Sequence, residues 1–518
     1  MKRRMSVALL ALAAALLTPV PAQAADDPVV RTTAGWVRGE TTAEGHQFLG
    51  IPYAEPPVGE LRWKDPRPVR PWQGIRGAAD FGNKCVQGAS WDPGYEQPSH
   101  TEDCLDLNVY APEGAGRRAV LVWLHGGGLT AGAGQDIVPD TFARRTGTVV
   151  VTVNYRLGAM GFLATAGLDG EARDGVSGNF GMLDQQAALR WVRANIARFG
   201  GDPGRVTIAG ESAGGRSVCT QLASPTAKGL LRAGIIQSGA YGDCGARAHD
   251  TAVSQGAAFA QKLGCADLAC LRAKSAAEIL AAQNGFDWAP VAGGTFLPRQ
   301  PKDAFERGAA AGVPVMNGAN QDEGRLFAFA RFDVNGTPLT TDQYPTVMRT
   351  DFGDEALARY PLPSYPTPTI AYATAQGDQL FACPALRLDG TLAGRGKVYA
   401  YEFADRTSPP FASLRDLGTD FDFGATHVNE LQYLFKHFGL QSPLNAEQRT
   451  LARQMIQYWG SFVRDGMPRA AGQPAMPARP GTVLTLRTAS ADGNVLSATA
   501  HREHRCNLWD AETVTQNG

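Results

Sequence analysis

Gly210-Glu211-Ser212-Ala213-Gly214-Gly215 is the stretch whose reading decides the fold. It fits G-x-S-x-G, a sharp strand-to-helix turn that lifts a serine hydroxyl above the end of a sheet. Glycines two before and two after Ser212 remove side chains that such a turn has no room for. The flanks agree. Arg205-Val206-Thr207-Ile208-Ala209 is a short β-branched run, and Ser217-Val218-Cys219-Thr220-Gln221-Leu222 continues as a helix. A serine hydroxyl is a weak nucleophile. It needs a base within reach and donors for the oxyanion it creates.

Upstream, Val120-Leu121-Val122-Trp123-Leu124 has the pattern of a buried strand and runs into His125-Gly126-Gly127-Gly128. An HGGG run of this kind brings backbone N–H groups close to a developing oxyanion, because glycine allows close approach and positive φ. The alternative reading is a flexible strand-to-loop turn.

These motifs resemble those of the type-B carboxylesterases, the family of cholinesterases and bacterial para-nitrobenzyl esterases. Phe199 to Gly214 matches one family signature throughout. Glu102-Asp103-Cys104-Leu105-Asp106-Leu107-Asn108-Val109-Tyr110-Ala111-Pro112 matches a second except at Asp106, where Tyr, Thr or Phe is usual. The likeness extends over Phe48 to Ala54, Asn154 to Gly158 and Gly178 to Gln186, and spans roughly residues 30 to 510. It implies an α/β-hydrolase fold and the chain order Ser, acid, His. Ser212 is then the nucleophile. Glu323 in Asp322-Glu323-Gly324 is the acid, with Asp322 as competitor. His427 in Gly424-Ala425-Thr426-His427-Val428-Asn429-Glu430 is the base. The oxyanion donors implied are the N–H groups of Gly127, Gly128 and Ala213. Glu211 supports the site without being the triad acid, or is simply a polar residue of the motif.

Imidazole in such a triad is expected to titrate near its ordinary value of about 6.5, so that activity falls below neutral pH and stays flat into mild alkali. His501 and His504, three residues apart near the C-terminus, are expected at the surface. No metal or other cofactor is implied.

The N-terminus reads as a secretory signal peptide over residues 1–24. Lys2-Arg3-Arg4 is the basic region, Met5 to Leu17 the apolar core and Ala22-Gln23-Ala24 the cleavage site. Secretion to the extracellular side follows; the paired arginines leave the choice between Sec and Tat export open. Residues 25–518 are expected to form a single α/β domain: a mostly parallel sheet, helices such as Leu183–Phe199 and Ala252–Leu263 on both faces, and long insertions above Ser212. Of 49 basic and 50 acidic residues, the signal segment holds three basic ones, which leaves a net charge near −4. No basic stripe suits nucleic acid, and no later apolar run suits a stable membrane anchor.

All eight cysteines lie beyond residue 24, an even count that suits an oxidising compartment. The resemblance implies pairs Cys85–Cys104, Cys265–Cys270 and Cys383–Cys506. It leaves Cys219 and Cys244 as either a fourth bridge or free thiols.

The partner expected is a small-molecule ester; oligomeric state is not legible. Phe286 and Trp288 align near the family's acyl-pocket wall, with ordinary core packing as the alternative. Trp91 lies in the loop where cholinesterases keep a cation-binding Trp, but three extra residues separate it from Cys104. Other readings of the same motifs are a lipase, a cholinesterase-like specificity, or a non-catalytic binding module. Ser212, Glu323 and His427 together speak against the last.

Overall fold

A computed structural model describes residues 27–89, 98–114, 116–437 and 441–510. The signal-peptide segment 1–24 and Trp91 fall outside the described residues.

The β-branched and apolar runs of the sequence become strands of one eleven-stranded sheet. In chain order these are β1 Glu40–Thr42, β2 Gly45–Pro52, β3 Asp106–Ala111, β4 Arg118–Leu124, β5 Val149–Val153, β6 Gly201–Glu211, β7 Ala233–Gln237, β8 Val315–Asn320, β9 Val398–Phe403, β10 Val483–Leu486 and β11 Val495–Ser497. Their spatial order is β11-β10-β9-β8-β7-β6-β4-β5-β3-β2-β1. From β10 across to β5 every neighbouring pair is parallel, and both edges are closed by antiparallel strands. The expected mostly parallel α/β sheet is what the chain builds.

Alternation along the strands divides the core into two layers. Val120, Val122 and Leu124 of β4 join Ile208 of β6 on one face, while Leu121 and Trp123 join Ala209 on the other. The first face is covered by α1 (Phe180–Asn195) and α2 (Ala213–Ala223), through Leu189, Val192, Val218 and Leu222. The second is covered by α3 (Ala446–Asp465), through Met455, Trp459 and Phe462. Local signals set the ends of α3. Asn445 and Gln448 form a reciprocal capping box, and Gly466 takes the left-handed conformation, φ 70°, at the stop. Trp459 is fully buried, so truncating it to Ala removes contacts worth about 3–5 kcal/mol.

Asp106, the departure from the second signature, opens β3 with its carboxyl largely buried. Burial and the neighbouring Asp103 push it up to about 7. Gly82 makes the room, since a Cβ there would collide with the Asp106 carboxylate.

Four disulfides form: Cys85–Cys104, Cys219–Cys244, Cys265–Cys270 and Cys383–Cys506. The open question over Cys219 and Cys244 is settled as a bond. It ties α2 to the turn at Tyr241–Cys244.

Candidate active site

The carboxyl ends of β6, β7 and β8 bring the site together, at the edge of the sheet where α/β folds hold their ligands. Ser212 sits between β6 and α2 with φ 54° and ψ −121°, a strained conformation for a residue with a side chain. Backbone bonds hold it there. Its N–H donates to the Gln237 carbonyl at 2.9 Å, and its own carbonyl accepts from Arg216 N–H at 2.9 Å. The turn is possible only because its neighbours lack side chains. A Cβ on Gly214 would collide with the Leu124 carbonyl oxygen, and one on Gly210 with Gly214 itself.

The glycine loop lies against this turn. A Cβ on Gly126 would stand 3.3 Å from Ser212 Cβ and 2.9 Å from Glu211 Oε2. Gly127 and Gly128 take φ 95° and 62°. Among the described residues, the N–H groups of Gly127, Gly128 and Ala213 donate to no acceptor of the protein. Ala213 opens α2, where the first amides have no partner within the helix and favour an anion. His125 does not enter the chemistry. Its ring is buried, stacks on Tyr155 at 4.3 Å, and is pushed down to about 4 by burial, hence neutral. Its Nδ1 lies 2.9 Å from the Gly126 carbonyl, and Tyr155 Oη donates to its carbonyl at 2.6 Å, so it fixes the loop.

His427 Nδ1 lies 2.5 Å from Glu323 Oε2. The other oxygen of Glu323 accepts from Ser238 Oγ at 2.5 Å and from Asn320 N–H at 2.7 Å, so the carboxylate cannot rotate away. Asp322, the competing acid, faces elsewhere. It pairs with Arg325 at 2.9 Å and Arg406 at 3.0 Å and accepts from Ala425 N–H.

The far ring nitrogen, Nε2, lies 3.2 Å from Glu211 Oε1, without hydrogen-bond alignment. Among the described residues no hydrogen bond joins it to Ser212 Oγ; such contacts commonly tighten only when substrate binds. Burial alone would favour the neutral ring, but the carboxylates of Glu211 and Glu323 outweigh it and raise the imidazole to about 9. The expectation of titration near the ordinary value is therefore corrected upward. The causes are the charge of Glu211, on the side of the ring away from Glu323, and the charge and hydrogen bond of Glu323 itself. Burial in turn holds the Glu211 carboxyl well above the usual range, against the pull of His427.

Several further residues complete the cluster. Ser238 follows β7 with φ 49° and belongs to no short motif. Glu430 is fully buried and braces the His427 loop, accepting from Gln237 Nε2 at 3.0 Å and Asn320 Nδ2 at 2.7 Å. Phe327 and Phe381 stack on each other at 5.5 Å and each lies 4.9 Å from the His427 ring. They form an apolar wall beside the imidazole.

Phe286 and Trp288 are packed with Phe259 of the helix His249–Lys262, at 5.5 and 5.4 Å. Their ring neighbours do not include the Ser212 cluster. His501 is exposed and pairs with Asp510 at 2.9 Å, as a surface residue would. His504 is not at the surface. It is buried between Asp378 and Glu402, because two carboxylates supply the partners that a charged imidazole needs in the interior.

Comparison with known proteins agrees with this geometry. The model of the carboxylesterase family matches residues 26–509. The chain is 36% identical over 508 residues to fumonisin B1 esterase of Sphingopyxis macrogoltabida, covering 92% of this chain and 90% of that protein. It is 34% identical over 464 residues to para-nitrobenzyl esterase of Bacillus subtilis, covering 85% and 90% respectively. Among solved structures, a carboxylesterase of Geobacillus stearothermophilus superposes with a TM-score of 0.79 at 33% identity, over 93% of this chain and 99% of that one. With a full-length family match and an α/β-hydrolase sheet carrying the serine turn at its carboxyl edge, the chain belongs to the carboxylesterase family as a type-B carboxylic-ester hydrolase.

Proposed function

We propose that this carboxylesterase is exported, loses residues 1–24, and hydrolyses small carboxylic esters through a Ser212–His427–Glu323 triad. The observation that carries the assignment is the 2.5 Å contact of His427 Nδ1 with a Glu323 carboxylate that Ser238 and Asn320 hold in place. Ser212 Oγ attacks the ester carbonyl carbon while His427 Nε2 takes its proton. The oxyanion accepts hydrogen bonds from the N–H groups of Gly127, Gly128 and Ala213. Collapse expels the alcohol, which takes the proton from His427. Water, deprotonated by the same nitrogen, then releases the acid and restores Ser212. Glu323 fixes the tautomer and stabilises the imidazolium between steps.

The apolar wall of Phe327 and Phe381 favours aryl and short alkyl groups over charged ones. Curated relatives are named para-nitrobenzyl esterase and acylcarnitine hydrolase. Neutral short-chain esters are the preferred class here, since three more residues separate Trp91 from Cys104 in the sequence than cholinesterases keep there. Four disulfides suit an oxidising destination.

An ester panel varying acyl length and alcohol, with Ser212→Ala as control, tests the reading. Neutral short-chain esters should be the best substrates by kcat/KM, and acetylcholine no better than 3,3-dimethylbutyl acetate. A preference for the choline ester above about thirtyfold, the upper end of a cation–π gain, would overturn the substrate class. N-terminal sequencing of the protein from the medium should begin at Ala25; retention of residues 1–24 would overturn export.

A further inference from the structure

Glu402 of β9, Asp378 and His504 make a buried ionic clamp that no step of ester hydrolysis uses. His504 Nδ1 lies 2.6 Å from Asp378 Oδ1 and Nε2 lies 2.6 Å from Glu402 Oε1. Other groups complete the cluster. Tyr360 Oη donates to Asp378 Oδ2 at 2.7 Å, and Arg505 stands 3.7 Å from the same oxygen. Burial opposes the charged ring, but the two carboxylates overcome it and hold the His504 imidazolium well above its ordinary titration range.

The clamp is attached to an unusual element. Asp378 opens a π-helical turn, Asp378–Ala382, set between the helices Pro368–Gly377 and Cys383–Ala393. Such widened turns cost regular hydrogen bonding and cluster at functional sites. This one is held at both ends by the same C-terminal segment, through Asp378 to His504 and through Cys383 to Cys506. Phe381 lies between the two anchors. Its ring is buried against Phe327, Tyr241 and the imidazole of His427.

We propose that His504 is a positioning residue for catalysis: clamped between Asp378 and Glu402, it fixes the π-helical turn so that Phe381 holds the His427 ring in line with Ser212. The proposal rests on the assignment of His427 as the base. The clamp reaches the reacting groups only through Phe381. Without it, the turn is free to relax toward a regular helix, and the ring of Phe381 swings away from the imidazole. A shift of that size in a catalytic group costs rate, not substrate affinity.

A double-mutant cycle on the full chain tests this, with His504→Gln, Phe381→Ala and the pair, assayed on para-nitrophenyl acetate and melted in parallel. His504→Gln should lower kcat about tenfold, as a small misplacement does, with KM nearly unchanged. It should also move the acid limb of the pH profile. In the Phe381→Ala background it should lower the melting temperature but have no further effect on kcat. Should His504→Gln not fold, Glu402→Ala replaces it in the same cycle, since it frees one side of the ring and leaves Asp378 and the disulfide in place. A variant that melts lower but keeps wild-type kcat and pH profile overturns the proposal. So does an equal loss of kcat with and without Phe381. Fluorophosphonate labelling of Ser212 in the wild type checks the base assignment separately. Slow labelling there faults the triad, whereas rapid labelling with an additive cycle faults the clamp alone.

Discussion

In the proposed mechanism the chemistry turns on Ser212 and His427, and each carries a distinct expectation. Ser212→Ala should lower kcat by several orders of magnitude while leaving the fold intact, because triad members act as a unit. A fluorophosphonate should add to Ser212 alone; a mapped adduct on another serine would falsify the nucleophile. His427 must be neutral to accept the proton, and its imidazole is raised to about 9. The neutral base therefore appears as pH climbs through that value, and kcat/KM should still be rising between pH 7 and 9. The charge of Glu211 acts on the ring beside the charge and the hydrogen bond of Glu323. Glu211→Gln should move the acid limb down toward the ordinary histidine value near 6.5. A limb that stays where it was in the Gln variant would show that Glu211 does not set it.

Two elements, the turn from β6 into α2 and the glycine loop after β4, make a mutually dependent pair. Gly214 is packed so closely on Leu124 and His125 that a methyl group would collide with both carbonyls. Overpacking at backbone contacts costs about 1–3 kcal/mol or more. Gly214→Ala should therefore destabilise the protein and, by pushing the loop off the turn, lower kcat as well. Chemical denaturation and para-nitrophenyl acetate turnover measure the two effects. Unchanged values of both would mean that the strand end and the loop are more compliant than their contacts imply. Ser238, which no motif announces, belongs to this scale too. Its hydroxyl reaches Glu323 only because β7 and β8 run side by side in register.

Over the whole molecule, the longest crosslink is Cys383–Cys506, whose ends lie 123 positions apart in the sequence. On the chain-entropy model it contributes about 5 kcal/mol by restricting the unfolded chain. Since no reacting group is a cysteine, Cys383→Ala with Cys506→Ala should lower the melting temperature far more than it lowers initial activity at 25 °C. The reverse order of sensitivities would place the bridge in the catalytic apparatus. The same C-terminal segment carries His504, so it is held beside the π-helical turn by a disulfide and by ion pairs.

The sequence by itself determined the sheet, the serine turn and the glycine loop, and its family resemblance implied the order Ser212, acid, His427. Each depends on local requirements: β-branched runs for buried strands, glycines where side chains cannot fit, and short motifs with fixed offsets. Three disulfides were also implied by motif resemblance. Only the tertiary structure decided matters that depend on residues far apart in the chain. It separated Glu323 from Asp322 by showing which carboxylate faces the imidazole and which faces Arg325 and Arg406. It joined Cys219 to Cys244, raised His427 through Glu211 and Glu323 together, and buried His504 between carboxylates 126 and 102 positions away. It also seated Phe286 and Trp288 on Phe259. Charge, burial and ring contacts are properties of the surroundings in three dimensions. A residue type and its neighbours in sequence do not specify them, which is why a histidine read as a surface residue lies buried between two carboxylates.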